Sequence, residues 1–495
     1  MVPLRHHVSW LFRQGTLAAA LGLVGLGAGC SAVGPDYERP EIEAPDAWKT
    51  AVTEELADDD SGLETWWTRF NDPELERLID MAVEANLDLK NAAARVTEAR
   101  EQIGIAAGLY YPQTVVDASY QRQRTSERGL FAGGQTFSTS TAGVGFGWEL
   151  DVFGRIRRNV EAAEAFTQAS VEDYRDVLVI LLADVASTYV DVRTLQTRLS
   201  YARSNAESQA ATVRLTQDRF DAGLTSARDV AQAEANLATT EAAIPSLERA
   251  LEFAFNRLSV LLGAQPGAVD EALAPPAAIP EPDEDILLEV PAELLRRRPD
   301  VRAAERRLAG QTALIGVATA ELYPVFSLDG SLGLQAIDGS LFESGNQTWS
   351  LAPGVQWNIF SGGLIQSQIR AEKARTEQAL LGYEQAVLLA LEDVENALIA
   401  YEREQIRRDR LQRAVDASVR ALDLVRTQYR SGLADFQSYL DSERVLFGQQ
   451  DDLAASEGQV VLNLVALNRA LGGGWPLSEA DDEAVDDEDT SRTEP

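Results

Sequence analysis

The residues able to perform covalent or metal chemistry are few in this 495-residue chain, and their positions are restrictive. Both histidines, His6 and His7, lie near the start, and the single cysteine is Cys30. With the leader read below removed, the mature chain has no imidazole, which excludes Ser-His and Cys-His nucleophiles. It also excludes the His/Cys sets that hold zinc. Carboxylate-only catalysis stays open, but no segment concentrates it and no phosphate-binding glycine loop is present. The sequence therefore implies no cofactor, no metal and no enzyme. RRRP, ending at Pro299, is read structurally: proline suits a first helical turn and Asp300 the positive end of that helix. Trp66-Trp67 is read as packing, not as a binding platform.

What remains is lipid chemistry at Cys30. Arg5 and Arg13 precede the apolar, Gly/Ala-rich run LAAALGLVGLGAGC, which ends at that cysteine. A charged start, a short apolar core and small residues before a cut site describe an export signal, too short to span a bilayer as a permanent helix. GAGC resembles the lipobox of bacterial lipoproteins, whose cysteine is acylated and becomes the first mature residue. Gly27 stands where that pattern usually has leucine, and Ser31 after the cysteine favours outer-membrane sorting by the same resemblance. The alternative is an ordinary cleaved leader with an incidental Cys30. The expected divisions are residues 1–29 as signal and 30–71 as a lipidated N-terminal segment.

The formal net charge of −34, with no basic patch to offset it, argues against a nucleic-acid partner. Lysine occurs only at Lys49, Lys90 and Lys373, so arginine supplies nearly all positive charge. Residues 479–495 are strongly acidic, without apolar periodicity, and are expected to form a solvated, disordered tail.

The elements that position everything else come in two copies. IGIAAGLYYP (Ile103 to Pro112) returns as IGVATAELYP (Ile315 to Pro324), 212 positions later. At that offset Asp88 and Ala92 fall over Asp300 and Ala304, and at 209 Gly223 falls over Gly432. The reading is an internal tandem duplication, 72–285 and 286–478. Chance similarity of Ala-rich helices would not keep the proline and glycine punctuation in order.

Each copy of the phrase closes a helix at a Tyr-Pro pair, where proline disfavours helix in the preceding residue. The apolar period then changes from 3.6 to 2. Strands are expected near 114–121 and 139–152, then near 325–335 and 348–360. Val116, Ala118 and Tyr120 alternate with Asp117, Ser119 and Gln121, and Val144, Phe146 and Trp148 with Gly143, Gly145 and Gly147. Strands of this length cross a bilayer when tilted, with one face apolar and the other polar or glycine. Four strands cannot close a barrel, and an open edge in hydrocarbon leaves backbone groups unpaired. Three copies would supply a twelve-stranded β-barrel. Ordinary hairpins packed on a soluble core are the alternative.

Long helices follow each second strand, from Gly154 to Asp221 and from Leu364 to Arg430, free of proline and with apolar residues at three- and four-residue steps. A stripe so narrow needs neighbouring helices along its length, as antiparallel hairpins in a cylinder provide. The helices end at Gly223 and Gly432, residues suited to a left-handed cap, so hairpin tips are expected near 219–229 and 428–441.

CSAVGPDYERP, WWTRFNDPELERLIDMAVEANLDL, RRRPDVRAAERRLAGQTALIGVATAELYP and the paired AGL/SGL tips together resemble the TolC/OprM outer-membrane factor family, in its lipidated branch. The likeness covers the mature chain except the acidic tail. It implies an α+β membrane protein: a homotrimeric, passive channel with a twelve-stranded barrel in the outer membrane and a periplasmic α-barrel. An inner-membrane pump, RND type in this branch, and a periplasmic adaptor would be its partners. Phe220, Gly223, Leu224, Tyr429, Gly432 and Leu433 would be the adaptor-contacting tips. The family's entrance aspartates fall six and nine positions after the second-tip glycine, here Ser438 and Asp441, with Asp229 the counterpart at the first tip. An arginine that helps close some members is Ala434 here. A structural role for each acid, as a cap or a helix-surface group, stands beside that reading. Small-molecule efflux is favoured over polypeptide secretion, and a non-conducting coiled-coil lipoprotein is the third possibility. Cells grown with labelled palmitate are expected to incorporate label into the wild-type chain and none into Cys30→Ser; equal labelling would place the acyl chain elsewhere.

Overall fold

The computed structural model describes residues 32–40, 48, 61–128, 134–280 and 297–476. Cys30, the leader and the acidic tail lie outside the described residues. The chain separates into two compact units that cut across the two sequence halves. The first gathers Arg95–Val171 and Ala303–Glu384 with the segment ending at Glu41; the second gathers Ile42–Ala94, Glu172–Arg302 and Gln385–Pro495. Each unit thus draws on both sequence halves.

In chain order the elements are α1 (Ser61–Glu64), a 3-10 turn (Trp66–Phe70), α2 (Pro73–Ala85), α3 (Leu87–Gly108), β1 (Gln113–Arg124), β2 (Thr136–Leu150), α4 (Arg155–Asp221), α5 (Ala227–Leu261) and α6 (Asp270–Leu273). Then come α7 (Pro299–Ala320), β3 (Val325–Ile337), β4 (Gln347–Gln356), α8 (Leu364–Arg430) and α9 (Phe436–Ala470). No helix among the described residues is long and apolar enough to cross a membrane.

The first unit is built on one antiparallel sheet in the order β1-β2-β3-β4. The central pairing joins strands from different halves, Val144 opposite Leu332 and Trp148 opposite Leu328. Two of the strands stop earlier than their alternation suggests. β2 ends at Leu150 because the Asp151 carboxylate turns back to accept from the Ile156 and Arg157 amides at 2.9 Å each, seating the start of α4. β4 ends at Gln356, and Trp357 donates from Nε1 to the Leu322 carbonyl at 2.9 Å. Trp148 makes the same bond to the Tyr110 carbonyl at 2.8 Å. The segment after Ser31 is pinned to this unit: Val33 N donates to Phe153 O at 3.1 Å, and Arg158 donates to Asp36 at 2.6 Å and to Glu161 at 2.8 Å. Further along, Tyr37 donates to Glu305 at 3.2 Å and Arg39 pairs with the same carboxylate at 3.0 Å.

The second unit is helical. α4 and α8 each run 67 residues, and neither has proline to interrupt it. α5 carries Pro245 in its interior and nevertheless continues to Leu261. Here packing outweighs the roughly 3 kcal/mol that proline costs a helix. The core gathers Leu63, Trp66 and Phe70 with Leu75, Leu78 and Ile79 of α2, Leu182, Val185 and Tyr189 of α4, Leu258 of α5 and Leu464 of α9. Trp66 is buried and edge-on to Trp67 and Phe70, so the Trp66-Trp67 pair is packing.

Arg298 is a charged pin. It donates to the carbonyls of Ala470 (3.0 Å) and Ala390 (3.4 Å) and to the carboxylates of Asp300 (2.7 Å) and Asp393 (3.1 Å). One guanidinium thereby ties together the starts of α7, α8's middle and the end of α9. Pro299 is the first residue of α7, as RRRP is read above. Beside the pin, a cleft of about 610 Å³ contains Asp176, whose carboxyl is pushed up to about 6 by burial and by the neighbouring Asp300 charge.

Asp72 does two jobs at once. Its Oδ1 caps α2 by accepting from Glu74 N (3.0 Å) and Leu75 N (3.3 Å), while Oδ2 accepts from the buried Tyr189 hydroxyl at 2.6 Å. Asp72→Ala is expected to cost about 2–4 kcal/mol, combining a lost cap with a stranded buried hydroxyl. Asp72→Asn, which keeps the cap acceptor, should lose less; the denaturation midpoints of detergent-purified variants give the comparison.

Candidate functional site

Two surfaces carry features that a purely structural fold does not need. The first is one face of the sheet. Val116, Val144, Leu332 and Trp349 stand opposite one another across all four strands, forming a continuous apolar row. All four are exposed, Trp349 at 79%. In the next row on the same face the Phe146 ring lies over Gly330, a place with no room for a Cβ. The opposite face is polar: Ser119 and Thr141 hydroxyls meet at 2.8 Å, and Ser331 and Ser350 at 2.7 Å. An exposed apolar face backed by a hydroxylated one is stable where lipid lies on one side and water on the other.

The second surface is the pair of helical tips. α4 closes with Leu224 N donating to Arg219 O and Gly223 N to Phe220 O, both at 2.8 Å. α8 closes identically, Leu433 N to Gln428 O at 2.8 Å and Gly432 N to Tyr429 O at 3.1 Å. Gly223 and Gly432 take φ of +73° and +77°, a left-handed conformation that favours glycine. The returning helices are capped by the same two residue types in swapped positions. α5 has Ser226 at its N-cap and Asp229 three residues on, forming a capping box; α9 has Asp435 at its N-cap accepting from Ser438 N at 2.7 Å.

These caps fix the roles of the acids locally. Asp229 accepts from the Thr225 hydroxyl at 2.6 Å and from Ser226 N at 3.2 Å, and the Thr225 bond foremost holds its carboxyl below the usual range. Asp441 is exposed and accepts only from its own neighbour Gln437, at 2.8 Å, among the hydrogen bonds resolved there. Leu224 and Leu433 project into solvent, 67% and 81% exposed, and Phe220 is exposed as well. Tyr429 differs from the other expected tip residues: it is 3% exposed, stacked on Tyr439 at 5.5 Å, with the Arg219 guanidinium 4.6 Å from its ring centre. Its side chain faces the inside of the hairpin, which it stiffens, and offers no surface.

Behind the tips lies a buried acid that sequence reasoning missed. Glu443 is fully buried on α9, and its Oε1 accepts from the Thr212 hydroxyl at 3.0 Å and the Tyr439 hydroxyl at 2.8 Å. Its Oε2 has no hydrogen-bond partner, nor does the buried Gln209 Oε1 one turn before Thr212. Burial pushes the Glu443 carboxyl up, outweighing the lowering by Tyr439, Thr212 and the Arg426 charge. No motif announces such a group, because a glutamate at a helical position looks like any surface residue.

A sheet with one exposed apolar face, joined in sequence to very long helical hairpins, marks a class of envelope-seated protein. The profile of the family described as outer membrane efflux protein matches the chain twice, at residues 78–264 and 290–473. The outer membrane protein OprJ of Pseudomonas aeruginosa is 33% identical over 92% of this chain and 95% of its own length. The probable outer membrane lipoprotein SilC of Salmonella typhimurium is 29% identical over 90% and 96%. The solved outer-membrane channel OprN superposes with a TM-score of 0.84 at 37% identity, covering 90% of this chain and 99% of that one. The chain belongs to the outer membrane efflux protein family. It is an outer-membrane efflux channel, and the members of this family are channel proteins.

The buried acid gives the tips a pH dependence with a definite sign. Glu443's carboxyl is raised above its ordinary value of 4.5 in the folded state, so its favourable contribution is fully present below 4.5 and lost as pH rises through the folded value. Glu443→Gln keeps the acceptor for Tyr439 and Thr212 without the charge. It is expected to slow amide hydrogen exchange around 209–225 and 426–446 at pH 7 to 8 and to flatten the pH dependence seen in the wild type; an unchanged profile would remove Glu443 as its source.

Proposed function

We propose that three copies of this chain assemble into one passive conduit, each giving four strands to a twelve-stranded barrel in the outer membrane and its helical hairpins to a periplasmic α-barrel. The observation that carries this reading is the sheet itself. It has an exposed apolar face, and its end strands β1 and β4 are not paired to each other within the chain. An open edge in hydrocarbon leaves each backbone group unsatisfied at several kcal/mol, so edge pairing between copies is required. The tandem duplication is supported by the two matches of one family profile and by the twin tryptophan bonds, Trp148 to Tyr110 O and Trp357 to Leu322 O.

In this reading the conduit moves small molecules and supplies no energy. An inner-membrane pump of the RND type drives transport, and a periplasmic adaptor docks on the tips through Phe220, Gly223, Leu224, Gly432 and Leu433, with Tyr429 bracing them from inside. Cys30 carries lipid that anchors the N-terminal segment, whose residues from Val33 to Arg39 are already fastened to the strand-bearing unit. Asp441, repeated by three-fold symmetry, lines the periplasmic entrance and favours cations there. Asp229 acts on that entrance through the shape of its cap. The exposed leucines fit docking of an apolar partner surface, since large apolar groups held in water by a rigid turn gain free energy when covered.

Detergent-purified protein is expected to have the mass of a trimer by native mass spectrometry and to give single-channel conductance in a planar bilayer. A stable monomer without conductance would overturn the reading. Leu433→Asp combined with Leu224→Asp should leave conductance unchanged and abolish efflux-dependent resistance in cells carrying the cognate pump and adaptor.

A further inference from the structure

The helical unit carries two charged stripes that are segregated by sign. On α5, positions 234, 238, 241, 245, 248 and 252 follow alternating steps of four and three and hold Glu, Ala, Glu, Pro, Glu and Glu. The one base in this stretch, Arg249, stands off the stripe. On α8, positions 403, 406, 410, 413, 417, 420 and 424 follow the same steps and hold Arg, Ile, Arg, Arg, Ala, Arg and Leu. Every acid nearby, Glu402, Glu404, Asp409, Asp416 and Asp423, stands off it. The chain has 78 acids against 44 basic residues, so an acid-free stripe that long runs against composition.

Both stripes look outward. Every position on the α8 stripe is exposed, and on α5 all are exposed except the half-buried Glu248. Among the described residues Glu234, Glu241, Glu252, Arg410, Arg413 and Arg420 form no ion pair. Glu248 is held by Arg203 at 2.8 Å, and Arg403 reaches only the adjacent Glu402 at 3.7 Å. The opposite faces of the two helices are already engaged. α5 is tied to α9 by Arg444 donating to Asn236 at 2.9 Å, and α8 to α9 by Ser418 donating to Gln449 at 2.6 Å.

Their spacing from the tips matches. Glu234, Glu241 and Glu252 lie 11, 18 and 29 residues beyond Gly223, while Arg420, Arg413 and Arg403 lie 12, 19 and 29 residues before Gly432. α5 leaves its tip and α8 arrives at its own, so the two helices are antiparallel when the tips are level. Three acids and three arginines then meet pair by pair. We propose that these stripes are the contact between successive copies of this chain, Glu234, Glu241 and Glu252 of one copy pairing with Arg420, Arg413 and Arg403 of the next.

The proposal rests on the trimeric reading above and adds which helices touch and in which register. A contact of one patch with a different patch is heterologous, the kind that closes a ring. Isolated surface pairs contribute little, whereas a ladder in one register sets alignment and rejects slipped neighbours. The arginines stand seven, three and seven residues apart, with Ile406, Ala417 and Leu424 at the stripe positions between and after them, where a facing helix can exclude water from their stems.

Paired cysteines in the full-length protein, in its own membranes, test the register. Glu241→Cys with Arg413→Cys is expected to shift to dimer and trimer bands on a non-reducing gel after mild oxidation, and back on reduction. Glu241→Cys with Arg420→Cys, about 10 Å out of register along the helix, should stay monomeric on that gel. Charge reversal supplies the second arm: Glu241→Arg or Arg413→Glu alone lowers the trimer fraction in dissociating detergent, and the two together restore it. If native mass shows a trimer while the in-register pair gives no intermolecular product, or the reversals fail to compensate, the stripes are solvated faces and the proposal is overturned with the trimer intact. A wild-type monomer would instead remove the trimeric reading itself.

Discussion

Hydrogen-bond closure at the edges of the sheet is the constraint on which the remainder of this structure depends. β1 and β4 expose backbone donors and acceptors at the two ends of a sheet whose apolar face is built for hydrocarbon. Water can satisfy such an edge, and lipid cannot. In lipid the twelve or so residues of each strand are therefore only conditionally stable, because β1 and β4 do not pair with each other within the chain and their outer backbone groups need partners. The rest of the architecture follows from that dependence. Long helices with narrow apolar stripes, acidic and basic stripes on separate helices and a low content of lysine all suit a chain that presents much of its length to neighbours.

Much of the fold was legible because punctuation and period are local properties. Proline-free runs with three- and four-residue apolar steps gave α4 and α8 their extent, and Tyr-Pro pairs marked where helix yields to strand. The ends of β2 and β4 were not legible in the same way. Alternation runs on through Val152 and Ile359, but Asp151 is recruited to the start of α4 and Trp357 is held by the Leu322 carbonyl, so the ladder stops. A tertiary hydrogen bond beats a two-residue period, and nothing in the period records it.

The candidate site was legible in outline and blank in its interior. Glycines in the left-handed conformation and exposed leucines follow from Phe-x-x-Gly-Leu and Tyr-x-x-Gly-Leu, the phrases at the two tips. Their first aromatic residues have opposite fates. Phe220 is exposed, whereas Tyr429 is buried on Tyr439 beneath Arg219, because the chain after the second tip carries aromatic residues at 436 and 439 that receive it. Glu443 is invisible for a related reason: beside Tyr439 on its own helix, it is enclosed by Thr212, which lies far away in sequence.

The two sequence halves, each matched by the same family profile, differ unevenly, and physical reasons account for where. At the strand–helix junction each copy keeps an indole donating to a carbonyl at the end of the preceding helix, with almost equal lengths. A carbonyl freed at a helix end must be satisfied, and an indole at the end of a membrane strand needs an acceptor, so both copies are held to one solution. At the tips, by contrast, the capping pair is permuted, Ser226 with Asp229 in one copy and Asp435 with Ser438 in the other. Either order satisfies the first amides of the returning helix, so the backbone tolerates the exchange. What the exchange changes is the place of a carboxylate relative to the turn, moving it from the first turn of the returning helix to the N-cap before it. Equal backbones with displaced charges leave the two tips of one chain alike in main-chain course and unlike in field, and the exposed Phe220 against the buried Tyr429 adds a difference in surface.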